Sequence, residues 1–163
     1  MSDIREQILM YLEKNSRVDL GELAVLLGSD EALIANEIAD MEQEEIICGY
    51  HTMINWEKTS SEKVTALIEV RVTPQRGQGF DSIAERIYNY PEVQSVYLIS
   101  GGFDLLVILE EKTLREISQF VSDRLSTLDS VLSTATHFIL KKYKEHGTVM
   151  SRRSEDERMK VTP

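Results

Sequence analysis

Six residues in the second half of the sequence have the types needed to hold a small zwitterion. Asp104 offers a carboxylate for an ammonium group. Ser100, Gly101, Gly102, Thr134 and Thr136 offer hydroxyls and open backbone N–H groups for a carboxylate. The plainer reading is that Gly101-Gly102 is a hairpin turn and that both threonines are ordinary strand residues. Neither reading calls for a metal or a cofactor. His51, His137 and His146 are far apart in sequence and lack Cys or carboxylate partners at ligand spacing. Ser100, Asp104 and His137 have the types of a hydrolytic triad but no nucleophile elbow. Gly77 to Gly79 lacks the lysine and the strand-to-helix context of a phosphate loop. The expectation is a binding protein, not an enzyme.

A second set of residues has the types needed to hold DNA. Arg5, Lys14, Arg17 and Lys58 are cations placed to meet phosphates, Ser29 adds a hydroxyl, and Asn36 can pair with an adenine edge. The N–H groups that open the helix after Ser29 also attract anions. Charge runs against this set. The net charge is −10, and residues 1–50 hold three basic side chains against twelve acidic ones. The helix expected from Asp30 to Glu45 has no Lys or Arg at all. A field of that sign repels phosphate.

These residues need elements to carry them. Ile4, Ile8, Leu9 and Leu12 share one face of a first helix over residues 3–15, with Asp3 and Glu6 at capping-box spacing. Asp19 and Glu22 repeat that spacing before a second helix that Gly28 stops. Ser29 is expected to cap a third helix carrying Leu33, Ile34, Ile38 and Met41, and Tyr50 to Trp56 reads as an extended wing. Three helices and a strand make a winged helix-turn-helix over 1–50, with a linker strand over 51–62.

Beyond the linker the period changes to two. Val64, Ala66, Ile68, Val70 and Val72 alternate along a strand, and a PQRGQG turn follows. A helix on Phe80, Ile83, Ala84 and Ile87 comes next, stopped by Pro91. Val93–Ile99 and Asp104–Leu109 read as strands around a Ser100–Gly102 hairpin turn. A Thr113/Glu116-capped helix on Leu114, Ile117, Val121 and Leu125 leads to a last strand, Thr134–Leu140. The order β-α-β-β-α-β over 63–145 is ferredoxin-like, so the fold class is α+β. The tail over 146–163 is polar, with Thr148–Met150 able to pair with an edge strand. Leu67, Tyr97 and Ile99 fall on the face the helices leave bare, which a second copy would cover; scattered exposed apolar residues are the alternative. Lys141, Lys142 and Lys144 read as a solvated edge, and Tyr50 and Trp56 as anchors. No apolar run approaches 18 residues, the N-terminus has no secretory pattern, and Cys48 is the one cysteine. Those features point to the cytoplasm and away from a membrane.

The ordered set Leu23-Ala24, Leu27-Gly28, Met41-Glu42, Ile46-Ile47, Gly49-Tyr50, Asn55, Gly101-Gly102-Phe103-Asp104 and Thr134-Ala135-Thr136 resembles the Lrp/AsnC family of transcription regulators over about residues 3–144. The resemblance implies dimers that often stack into octamers, DNA-binding heads, and a C-terminal RAM domain that binds an amino acid or related effector at the hairpin and last strand. It also implies basic residues on the third helix, where this sequence has Ala35, Glu37, Ala39 and Asp40. That departure leaves a second reading open: a ligand-sensing co-regulator that mixes with other subunits without binding DNA itself.

Overall fold

The structure is a computed structural model that describes residues 3–61, 63–73 and 79–150. The chain divides into two compact units, Met1–Ile54 and Asn55–Pro163.

In the first unit, α1 (Asp3–Lys14), α2 (Leu20–Leu27) and α3 (Glu31–Gln43) bury Ile8, Leu23, Ala24, Ile34 and Met41 in one core. Asp19 caps α2 by accepting from the Glu22 N–H, and Gly28 ends it in the left-handed region at φ 60°. There a side chain would be strained, so glycine fits. The cap of α3 is Asp30, not Ser29: its carboxylate accepts from the N–H groups of Ala32 and Leu33. A carboxylate also meets the positive end of the helix dipole, which a hydroxyl does not. Asp3 is the first residue of α1, and its carboxylate accepts from Gln7 Nε2 at 2.8 Å rather than completing a capping box.

α3 closes through Glu45, which takes φ 57° and turns the N–H groups of Ile46 and Ile47 onto the Met41 carbonyl. Tyr50 then donates to Glu42 Oε1 at 2.7 Å. The wing strand expected from Tyr50 to Trp56 is not formed. Residues 51–55 carry no ladder, and Trp56–Lys58 makes a 3-10 turn of the second unit. An extended stretch becomes a strand only with a partner, and no neighbouring segment of the described residues supplies one.

The second unit is built on β1 (Val64–Val72), α4 (Phe80–Tyr88), β2 (Val93–Leu98), β3 (Leu105–Glu111), α5 (Leu114–Phe120) and β4 (Val131–Phe138). Among the described residues the four strands form an antiparallel sheet in the order β2-β3-β1-β4. This is the expected β-α-β-β-α-β order. Ala66, Ile68, Val70, Leu105, Val107 and Leu109 alternate onto the helix-covered side and are buried with Ile83, Ile87, Ile117 and Phe120. Burial of each such aliphatic side chain contributes roughly 1.5–3 kcal/mol. Thr113 and Glu116 form the expected capping box of α5, and a π-turn over Val121–Leu125 continues it.

Three local expectations differ. β2 ends at Leu98 and β3 begins at Leu105, so Ser100–Gly102 is part of a longer loop and not a tight turn. Neither Gly101 nor Gly102 takes a left-handed φ, which the tight hairpin turns require. Thr148–Val149 (β6) pairs with Lys144–Glu145 (β5) in a separate small hairpin, not with an edge of the sheet. Met150 joins that hairpin through Tyr143, and its carbonyl accepts from Asn55 Nδ2 at 2.9 Å. Trp56 is capped by the Lys63 ammonium 4.1 Å from its ring centre. The Pro74–Gln78 part of the expected turn and the tail from Ser151 lie outside the described residues. Among the described residues no helix is long and apolar enough to cross a membrane.

Two outcomes follow from the end of α3. Glu45→Gly relieves a left-handed backbone and stabilises the first unit by about 0.5–1 kcal/mol in chemical denaturation. Burial first, then the hydrogen bond to Glu42 and the charge of Glu42, push the Tyr50 phenol up to about 12. The folded unit therefore holds this proton more tightly than the unfolded chain, whose phenols ionise near about 10. The contribution is intact below about pH 10 and is lost as pH rises toward about 12. Unfolding curves across that window will show the loss in the natural sequence and a flatter profile in Tyr50→Phe.

Candidate functional site

The first candidate surface is α3. Its carboxylates at Glu37, Asp40 and Glu44 recur at three- and four-residue spacing, so they share a stripe. That stripe faces Arg5 on α1. The guanidinium bonds Glu37 through Nε, takes both oxygens of Glu44 at 3.1 and 2.9 Å through Nη1, and lies 3.8 Å from Asp40. The hydrogen bond to Glu37, then that to Glu44, raises the Arg5 pKa above its ordinary value. Arg5 is thus engaged inside the unit, and its first use is to fasten α1 to α3.

A different stripe faces outward. Ala32, Asn36, Ala39 and Gln43 recur at four-, three- and four-residue spacing and are all exposed. On a helix of 3.6 residues per turn this stripe lies roughly opposite the buried Ile34 and Met41. It is uncharged and mostly short, with Asn36 near its middle. Lys14 and Arg17 are exposed and make no ion pair among the described residues, and Ser29 is half-buried in the α2–α3 turn. Lys58 belongs to the other unit.

The second candidate surface is the sheet end near the β2–β3 loop. Of the six residues read from sequence, Thr134 lines a depression there, and the other five do not. Asp104 is part of the framework: its N–H donates to the Val70 carbonyl at 3.1 Å, and its Oδ2 accepts from the Val72 N–H at 2.8 Å. This satisfies β1 beside the point where its pairing with β4 shifts, between Arg71 and Val72. Thr134 and Thr136 pair with Val70 and Ile68, so they point to the helix-covered side, half-buried. Ser100, Gly101 and Gly102 are exposed in the loop.

One of the six, Thr134, does converge with residues that sequence reasoning did not single out as effector contacts. Glu69, Arg71, Phe103, Ser133, Thr134 and Ala135 line a shallow depression of about 240 Å³. Arg71 pairs with Ser133 and Glu69 with Ala135, which places all four on the face without helices. Glu69 Oε1 lies 3.1 Å from His137 Nε2. Arg71 makes no ion pair among the described residues. The signal was present in the alternation of β1, since Glu69 and Arg71 share the parity of Leu67. Among the described residues no group of three or more His, Cys, Asp or Glu is placed to hold a metal.

Comparison with known proteins gives both units a common frame. The family described as the Lrp/AsnC ligand binding domain matches residues 65–149. The chain is 47% identical over 164 residues to the HTH-type transcriptional regulator YugG of Bacillus subtilis, covering 100% of this chain and 99% of that protein. It is 28% identical over 142 residues to a proline dehydrogenase transcriptional activator of Rhodobacter capsulatus, covering 87% and 92%. Among solved structures, a transcriptional regulator from Neisseria meningitidis in complex with L-Met superposes with a TM-score of 0.70 at 22% identity, over 89% of this chain and 93% of that one. AsnC of E. coli superposes with a TM-score of 0.68 at 19% identity, over 93% and 99%. These relatives carry the names of regulators and not of enzymes. With its helical head, its antiparallel four-stranded sheet and a full-length match at this identity, the chain belongs to the Lrp/AsnC family of transcriptional regulators.

Proposed function

We propose that this protein is a sequence-specific DNA-binding regulator that responds to an amino acid or a related small molecule. The full-length match to an HTH-type regulator carries the reading. The orientation of α3 supports it. Three of the carboxylates that make the helix acidic turn onto Arg5, and the face opposite the core presents Asn36 between alanines. Short neighbours let a helix sit deep in the major groove, and Asn pairs in bidentate fashion with adenine. Lys14 and Arg17 supply the phosphate contacts. With so few of them, affinity depends weakly on salt, and linked heads in an oligomer raise it by avidity.

The relatives named as proline dehydrogenase activators support a role on amino-acid metabolism genes. Action on DNA places the protein in the cytoplasm. The bare face of the sheet, with Leu67, Leu106 and Ile108 half-buried and Tyr97 50% exposed, is the surface for a second copy. Both copies would use the same patch, so the contact closes as a dimer, and larger assemblies such as octamers are built from it.

The reading is tested by selecting DNA from a random pool at two salt concentrations, with and without candidate amino acids. We expect one enriched sequence containing an adenine that Asn36→Ala no longer distinguishes. Arg17→Ala should weaken all sequences alike and reduce the salt slope by about 1. Enrichment of no sequence would reject direct DNA binding and leave the co-regulator reading, which the acidic head favours. For the assembly, Ile108→Asp places a charge in the middle of the bare face. Sedimentation should show it shifting the protein to monomer while its circular dichroism is unchanged.

A further inference from the structure

The negative charge of the head is not carried through the rest of the chain. Residues 140–150 hold Lys141, Lys142 and Lys144 against Glu145 alone, in a chain whose net charge is −10. This run folds into a hairpin. Lys144 pairs with Val149 and Glu145 with Thr148, and the Met150 N–H extends the pairing to the Tyr143 carbonyl at 2.9 Å. His146 and Gly147 make the turn, with φ 42° and 80°. Positive φ at both central positions gives the tight turn whose twist matches its strands, and it fixes the tip. The Met150 carbonyl accepts from Asn55, the first residue of the second unit. The hairpin is therefore fastened to its unit where the chain arrives from the head. Its cations face solvent. Lys142 is held by Glu145 at 2.9 Å, but Lys141 and Lys144 are exposed and make no ion pair among the described residues. Tyr143 stands between them in sequence, 68% exposed, with the Lys141 ammonium 5.3 Å from its ring centre.

We infer that this hairpin is a second DNA-contacting surface, outside the helical head, on which Lys141, Lys144 and the Tyr143 hydroxyl hold phosphates of the duplex. The inference rests on the DNA-binding reading above and adds a contact in the unit whose family description names only a ligand. A solvated edge accounts for free lysines but not for an exposed tyrosine among them. Lysine and tyrosine both donate to phosphate oxygens, so the three side chains suit one partner. The acidic head repels the backbone it must approach, and Lys14 and Arg17 offset little of that repulsion. Two lysines on the same chain supply counterion release that the head lacks. The His146 ring N–H, exposed at the tip, adds a further donor. Contacts of this kind position a duplex without reading it, so base preference stays with α3.

The test is fluorescence anisotropy of the full-length protein with a duplex of the selected sequence and with a scrambled duplex, over a series of salt concentrations. Lys141→Gln combined with Lys144→Gln should weaken both duplexes by about tenfold or more at low salt and reduce the salt slope by about 2. The ratio of affinities between the two duplexes should not change. Tyr143→Phe should cost about two- to fivefold and leave the slope as it was. Arg86→Gln combined with Arg115→Gln makes the same change in net charge at exposed positions of α4 and α5, and should stay within about twofold of the natural protein. All five side chains are exposed, so circular dichroism spectra should match. An unchanged slope in the hairpin variant, an equal loss in the helix variant, or a loss confined to the selected duplex would overturn the inference. So would a hairpin variant whose assembly changes in sedimentation, since the hairpin would then join copies of the chain and not DNA. If the natural protein binds neither duplex, the regulator reading fails as well. If the hairpin variant binds as the natural protein does, that reading stands and this surface falls.

Discussion

The head depends on one cation. Arg5 on α1 meets Glu37, Asp40 and Glu44 on α3, and that meeting gathers the acidic stripe of α3 against α1. Without it, three like charges on one stripe would repel one another and drive the helix to expose them to water. With it, the charged stripe becomes the seam between two helices, and the apolar stripe through Ile34 and Met41 seals the core beside it. The row most nearly opposite the core, Ala32, Asn36, Ala39 and Gln43, is uncharged. An acidic helix thereby keeps one uncharged face, although the head as a whole still carries excess negative charge. On the proposed function, affinity built this way would come from fit and from linked copies more than from counterion release.

The sheet obeys a constraint of the same kind. Alternation divides β1 into a helix-covered row of Ala66, Ile68, Val70 and Val72 and a bare row of Leu67, Glu69 and Arg71. The bare row runs from an apolar middle, suited to a second copy, to a charged end beside the β2–β3 loop. Asp104 fixes that loop against β1 with its own N–H and its carboxylate. Its neighbour Phe103 lines the depression.

Much of the fold was legible because it is written in periodicity. The 3.6-residue stripes of α1 to α3, the alternation of β1, the Asp19 and Thr113 caps and the Gly28 stop are local signals, and each has a local cause. The features that escaped were non-local. Ser29 and Asp30 are both good caps, and only the backbone geometry decides between them. Tyr50–Trp56 has strand-like composition, but a ladder needs a partner that its own sequence cannot supply. Gly101-Gly102 has the composition of a tight turn, while Asp104 and β1 draw the loop into another shape. The acids of α3 were plain in the sequence, but Arg5 lies 32 residues from Glu37, and nothing local marks the two as partners. Function followed the same division. Residue type pointed to the β2–β3 loop and the last strand, and the parity of β1 shows which charges lie beside them only once register with β4 is known.

The central claim is that the outward stripe of α3, and not its acidic one, meets DNA. The most direct measurement is backbone amide chemical-shift mapping of the protein titrated with its selected DNA. The account predicts that the largest perturbations fall on Ala32, Asn36, Ala39 and Gln43, with smaller ones at Lys14 and Arg17 and little change at Glu37 and Glu44. Perturbations centred on Glu37, Asp40 and Glu44, or absent from α3 altogether, would contradict it.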